Sequence, residues 1–297
     1  MNLTRIRIIS FILIVVCIIV KLLKRRRLET FVSPKKRVCV IICGFAPRSF
    51  KYVHKTIQNK IIDVLNTKYE VDTFHHSLLS KMARIESNRS GENNLDINNE
   101  DVNILNVKEL ITEYQEDIDI QHYIEKSCGL NENHKINPLR ELYSEKQAVT
   151  NFPIEDYDAC VMIWSDAYVI KEINLKHVED VIENKRVFYS TSYNTWGGVA
   201  NKFYITSPEM MKNVGSRIDL YVERCKNLKG HKENNEKFLE YSLMKYDANM
   251  KYTDMFYIKI RANGAPNSSI KLLDNYVSKR EAAKIKKNIK YLTMKPL

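Results

Sequence analysis

Arg37-Val-Cys-Val-Ile-Ile-Cys43, closed by Gly44, is the stretch that decides the fold. After its first residue it is wholly apolar and rich in β-branched side chains. Such a run reads as a strand buried on both faces, hence a central strand of a parallel sheet. Phe45-Ala-Pro-Arg-Ser49 follows as a loop. From Phe50 to Leu65 apolar residues recur at Val53, Ile57, Ile61, Val64 and Leu65, which is helical spacing. Lys68 to Phe74 predicts a second strand, so the body opens as a strand–helix–strand unit.

Downstream the alternation continues. Residues 84–104, rich in Asn, Glu and Asp, read as a surface loop or insertion. Residues 107–127, amphipathic and acidic, predict a helix, as does Pro138 to Val149. Asp158-Ala-Cys-Val-Met-Ile-Trp164 predicts a third strand, ending at Ser165-Asp166. A helix is expected over Lys176 to Asn184, strands over Arg186 to Ser192 and Lys202 to Thr206, and a turn at Trp196-Gly-Gly198. Ser207 followed by Pro208 marks a helix start, with the helix running to Asn227. Glu233 to Met244 predicts a helix, Met255 to Ile260 a strand, and Asp274 to Tyr291 a basic closing helix. Strands alternating with helices predict an α/β fold: one domain over residues 38–297 with a mixed, mostly parallel sheet flanked by helices.

Upstream of β-forming sequence, Ile8 to Val20 is apolar except for Ser10, and Leu22-Leu23 extend it past Lys21. The run is short for a spanning helix, which needs about 20 residues, but Lys21 can snorkel toward headgroups. It is followed by basic residues rather than a small-residue cleavage site. Residues 1–23 therefore read as an uncleaved single-pass membrane anchor, and 24–37 as a basic linker. Most flanking Lys and Arg follow the run, which places the body on the cytoplasmic side. The sequons at Asn88 and Asn267 would be used only in a luminal body.

Net charge is +11 over 297 residues, but it is unevenly placed. Residues 1–37 carry ten Lys or Arg against one acid, and residues 279–297 carry seven against one, so the intervening body is net −4. A mildly acidic body argues against a nucleic-acid partner, and basic ends suit anionic lipid headgroups. The six cysteines, Cys17, Cys39, Cys43, Cys128, Cys160 and Cys225, show no metal-ligand spacing. They read as buried reduced thiols, not as a disulfide framework.

In open α/β sheets ligands bind beyond the carboxyl ends of the strands. Three features fall there. Gly44 permits a tight turn and Arg48 can pair with a phosphate. Asp166 follows a buried strand and could hold a divalent ion. Glu236, at a helix start, suits a general base or a sugar-hydroxyl ligand. His75 and His76 are adjacent in an extended chain, so they point oppositely and make no bidentate metal site. Tyr189, Tyr193 and Trp196 could stack on a sugar ring or fill the core.

The order and spacing of these segments resemble a family of predicted glycosyltransferases of large DNA viruses and protists. The segments are Cys43-Gly-Phe-Ala-Pro-Arg-Ser-Phe50, Tyr69-Glu-Val-Asp-Thr-Phe74, Asn137-Pro-Leu-Arg-Glu-Leu-Tyr-Ser144, Tyr157-Asp158, Gly198-Val-Ala-Asn-Lys-Phe203, Ser207-Pro-Glu-Met, Glu236-Lys-Phe-Leu239 and Ile260-Arg-Ala-Asn-Gly264. The resemblance implies a GT-A-like (Rossmann-like) fold and a glycosyltransferase that moves a sugar from a nucleotide-diphosphate donor to a glycan or lipid-linked acceptor. It implies that Gly44, Arg48, Asp72 and Tyr143 line the nucleotide site. Asp166 would bind Mn or Mg, Asn201 and Glu236 would face the sugar or acceptor, and the body would be luminal. Where the family often has Arg-Pro-Asp this chain has Trp164-Ser-Asp166, and where it often has Asn-Asp-Arg-Phe this chain has Ala200-Asn-Lys-Phe203. Those departures also admit a catalytically inactive glycosyltransferase-like binding or scaffold protein at a membrane.

Overall fold

The apolar run forms strand β1, Arg37–Gly44, buried from Val38 onward. Alternate side chains enter opposite layers, as strand geometry requires: Val38, Val40 and Ile42 join one, and Cys39, Ile41 and Cys43 the other. The computed structural model describes residues 19–21, 35–85, 92, 94–128, 132–228 and 233–294. The chain divides into Met1–Lys35 and Lys36–Leu297. Most of the expected anchor and linker, with Cys17 and the Asn88 sequon, lies outside the described residues. Residues 19–21 are helical. No helix among the described residues is long and apolar enough to cross a membrane.

Helix α1, Phe50–Ile57, buries Phe50, Val53 and Ile57, and the chain stays helical to Asn66. Strand β2, Glu70–Leu79, runs past the expected end at Phe74 and pairs parallel with β1. A short antiparallel ribbon joins β3, Arg84–Ile85, to β4, Leu95–Asp96. The expected helix over 107–127 is not formed. Strand β5, Glu109–Tyr114, adds to the free edge of β2, and only α2, Gln121–Glu125, is helical. Helix α3, Glu132–Asn151, begins upstream of Pro138 and carries it inside.

Strand β6, Ala159–Trp164, lies on the other side of β1, in parallel. Then come β7, Ala167–Val169; α4, Leu175–Glu183; β8, Val187–Thr191; and β9, Phe203–Thr206. The hydroxyl of Ser207 accepts from the Met210 amide and caps α5, Pro208–Gly215. The single helix expected to Asn227 breaks there into a 3-10 turn, Arg217–Leu220, and α6, Tyr221–Asn227. Last are α7, Asn235–Lys245; β10, Asn249–Thr253; β11, Tyr257–Lys259; a 3-10 segment, Ser268–Asn275; and α8, Lys279–Met294. Asn267 caps that 3-10 segment through its side-chain oxygen.

The seven-stranded sheet has the order β10-β8-β9-β6-β1-β2-β5. It is parallel except for β9, which runs against both β6 and β8. Helices α1, α4 and α8 share one apolar layer; α3, α5 and α7 contribute to the other. The result is a Rossmann-like α/β sandwich. A satellite cluster gathers Leu139, Leu142, Tyr221 and Phe238.

One expectation about the cysteines is overturned. Cys128 and Cys225 form a disulfide, with Cα atoms 5.0 Å apart. Cys128 follows α2 and Cys225 lies on α6. The sequence shows no local pairing motif because 97 residues separate them, and only the fold brings them together. Cys39, Cys43 and Cys160 are buried free thiols.

Candidate active site

Strand order turns from one direction to the other between β1 and β6, and past their carboxyl ends lies the place where open α/β sheets form a ligand crevice. Gly44 closes β1 at φ +115°, a conformation that favours glycine. A Cβ there would meet the Trp164 ring at 2.7 Å, so glycine also makes room for the indole. The Gly44 amide donates to Ser144 Oγ at 3.1 Å, which commits it to the protein. Trp164 Nε1 donates to the Asn201 carbonyl at 2.9 Å. Because β9 runs antiparallel, its start lies at this edge, and that delivers Asn201 and Lys202 to the crevice.

Charge is concentrated here. Asp166 is 8% exposed, and Lys259 Nζ lies 3.0 Å from its Oδ2. The β7–β11 ribbon sets this pair, placing Lys259 opposite Ala167. Lys202 Nζ lies 2.6 Å from Glu141 Oε1 on α3 and 3.6 Å from the Trp164 ring centroid. Asn235 Nδ2 donates to the other Glu141 oxygen at 2.9 Å. Burial pushes the Asp166 carboxyl up, but Lys259, Lys202 and Arg48 outweigh it and hold it below the usual range. Burial also pushes Glu141 up, and Lys202 and Lys259 bring it down. Burial lowers the Lys259 ammonium despite Asp166.

Glu92 grips Arg48 in a bidentate pair along its Nε–Nη2 edge; Nε donates to Oε1 at 2.8 Å and Nη2 to Oε2. Glu92 is fully buried and also accepts from the Ala262 amide at 2.8 Å. Arg48 therefore holds this wall together. Glu92 itself, within the expected surface insertion, is buried against this site.

Glu236 lies in the first turn of α7, where Asn234 caps the helix by accepting from the Lys237 amide. Burial pushes its carboxyl above the usual range. Lys202 and Lys259 pull it down as they do Asp166, but here burial outweighs them. Asn201 is 1% exposed, and neither side-chain polar atom has a protein partner. A buried amide left unmatched is costly, which makes Asn201 a candidate ligand position.

Beside α7, the loop after β8 presents Trp196, 70% exposed at φ +43°. Its carbonyl accepts from Asn234 Nδ2 at 3.1 Å, and the Val199 amide donates to the Glu236 carbonyl at 3.0 Å. A Cβ on Gly198 would run into that same carbonyl. Asn194 and Ser269 exchange hydrogen bonds at 2.9 and 3.1 Å, fixing the loop's other side. Trp196 thus overhangs a shallow groove of about 420 Å³. Tyr189 and Tyr193 are core residues.

Of the expected site residues, Gly44, Arg48, Asp166, Asn201 and Glu236 come together. Asp72 does not. It pairs with Cys39 at the opposite end of β1, bound by Tyr157 Oη at 2.6 Å and Lys108 at 2.7 Å. Tyr143 faces Glu113 on β5, and burial with that carboxylate raises its phenol. The sequence reading missed Glu92, Glu141, Lys202 and Lys259. Glu141 and Lys202 carried a signal, since both fall in segments that bear the resemblance, Asn137 to Ser144 and Gly198 to Phe203.

The residues do not fit a divalent cation. Asp166 is engaged by Lys259 and Glu141 by Lys202, and no group of three or more His, Cys, Asp or Glu able to hold a metal occurs among the described residues. No protein-family model matches the chain, and no curated protein matches it in sequence.

Proposed function

We propose that the chain is a GT-A-like glycosyltransferase that moves a sugar from a nucleotide-diphosphate donor to a glycan or lipid-linked acceptor, held at a membrane through residues 1–23. The observation that carries this is the cluster past the ends of β1 and β6, where Lys259 pairs with Asp166 and Lys202 with Glu141, and where burial raises the nearby Glu236 carboxyl. It combines cations for a diphosphate leaving group with a carboxylate of raised basicity for an acceptor hydroxyl. A mostly parallel sheet with one antiparallel strand beside the Asp166 strand accords with that fold.

In the reaction, the acceptor hydroxyl oxygen bonds the anomeric carbon as the bond to the β-phosphate oxygen breaks. The electron pair leaves with the diphosphate, and the hydroxyl proton passes to Glu236. Asn201 offers its unmatched amide to a sugar hydroxyl. Trp196 offers an aromatic face to the acceptor beside Glu236.

The full-length chain in detergent should turn over one member of a panel of nucleotide sugars. Glu236→Gln should lose transfer by about 100-fold or more while still binding donor. Wild-type transfer should fall on acidification through the raised Glu236 pKa, because the base must be ionised. Undiminished transfer by Glu236→Gln excludes the base role. Donor binding without turnover favours the rival, an inactive binding protein, which the engagement of Asp166 by Lys259 also supports.

A further inference from the structure

We infer that the crevice holds the donor diphosphate with lysines where a divalent cation would otherwise stand: Lys259 and Lys202 are the phosphate ligands, and Asp166 and Glu141 position them. This rests on the nucleotide-donor reading above and deepens it.

A metal ion held by both Asp166 oxygens would have to displace the Lys259 ammonium, 3.0 Å from Oδ2. It would then stand beside the three cations that already act on that carboxylate, Lys259, Lys202 and Arg48. Like charges at such range in a water-poor crevice repel strongly. Glu141 offers no second ligand, since Lys202 and Asn235 occupy its two oxygens.

The same geometry suits an anion. Each ammonium has three N–H donors and makes a single ion pair, Lys259 with Asp166 and Lys202 with Glu141. The buried Lys202 Nζ has no partner aligned for a hydrogen bond, although Glu141 lies 2.6 Å away. Two ammoniums with unused donors are thus fixed at one edge of the sheet. Arg48 is less free, because Glu92 takes its Nε–Nη2 edge with both carboxylate oxygens. When the anomeric bond breaks and its electron pair moves to the β-phosphate oxygen, the charge grows beside Lys259 and Lys202. Preorganised charge in a dry site is effective there.

Calorimetric titration of the full-length chain with UDP, GDP, uridine and guanosine, in EDTA and in manganese, tests this. One diphosphate should bind with the same affinity in both buffers, and its nucleoside much more weakly. Lys202→Met should weaken the diphosphate by about tenfold or more, and leave nucleoside binding unchanged. Lys259→Met strands Asp166, so Lys259→Met with Asp166→Asn is the companion variant and should show the same loss. Diphosphate binding that requires manganese overturns the lysine assignment and leaves the donor reading standing. Equal binding by both lysine variants and wild type also overturns it. If neither diphosphate binds in either buffer, the donor reading itself falls.

Discussion

At the residue scale, His75 and His76 couple stability to pH. Both are fully buried on β2, on opposite faces: His75 against Phe50 at 4.9 Å between ring centroids, and His76 with Nδ1 2.8 Å from Ser144 Oγ. Burial lowers His75 to about 3 and His76 to about 4. An unfolded histidine titrates near 6.5, so below that value the unfolded chain binds protons that the folded chain refuses. The stability from keeping them neutral is whole above about 6.5 and is lost as pH falls toward the folded values. The limiting slope is about 1.4 kcal/mol per pH unit for each histidine. Urea unfolding between neutral pH and pH about 5 should show that slope, and His75→Leu should remove about one proton from it. A slope unchanged by His75→Leu assigns the acid sensitivity elsewhere. These histidines also explain the misplacement of Asp72. The second strand was expected over Lys68 to Phe74, which would set Asp72 near its carboxyl end. In fact β2 buries these polar residues, bonds His76 to Ser144 and runs on to Leu79. Asp72 therefore falls at the far end from the crevice. Gly44, Arg48, Asp166 and Glu236 were legible because each abuts a strand or helix end, whereas Asn201 came from the resemblance alone. Glu92 and Lys259 were not, because their partners lie far along the chain and only the fold supplies them.

At the element scale, α3 is pinned by a buried ion pair. Glu145 and Arg217 are both fully buried. Arg217 Nη2 donates to Glu145 Oε1 at 2.9 Å, Nη1 contacts Oε2, and Tyr204 Oη donates to Oε2 at 3.0 Å. Glu145 lies one turn after Glu141, on the same helix face. The pair beneath the sheet thus sets the rotation that aims Glu141 at Lys202. Glu145→Ala leaves a guanidinium buried without its counter-charge and should cost about 3–5 kcal/mol. Adding Arg217→Met should recover most of that loss, which a double-mutant cycle by urea unfolding would measure. If the double variant is as unstable as the single one, the cost comes from lost packing. Most elements were readable from periodicity, since the central strands are continuous apolar runs and Ser207-Pro208 announces a helix. Residues 109–114 were not. Glu109-Leu-Ile-Thr-Glu-Tyr114 has acidic, helix-tolerant composition, but β2 offers it an unpaired edge, and tertiary pairing outweighs weak propensity.

At the scale of the whole molecule, the Cys128–Cys225 disulfide bears on where the body resides. It ties the segment after α2 to α6 across 97 residues, within the satellite cluster that includes Leu139 and Phe238. A loop that long loses much unfolded-state freedom when closed, so reduction should cost about 2–5 kcal/mol. Thermal unfolding with and without dithiothreitol, and of Cys225→Ala, should show matching losses. Disulfides persist in oxidising compartments and are rare where glutathione keeps thiols reduced. The positive charges after the apolar N-terminal run point the body to the cytoplasm, whereas this bond favours the lumen. Charge bias is a tendency of insertion that the folding of a large body can override, but a stable structural disulfide requires an oxidant. We therefore expect a luminal body. Maleimide-polyethylene glycol labelling of freshly lysed, acid-quenched cells should leave Cys128 and Cys225 unmodified until a reductant is added. Modification of both without reductant would place the body in a reducing compartment and restore the orientation that the charges favour.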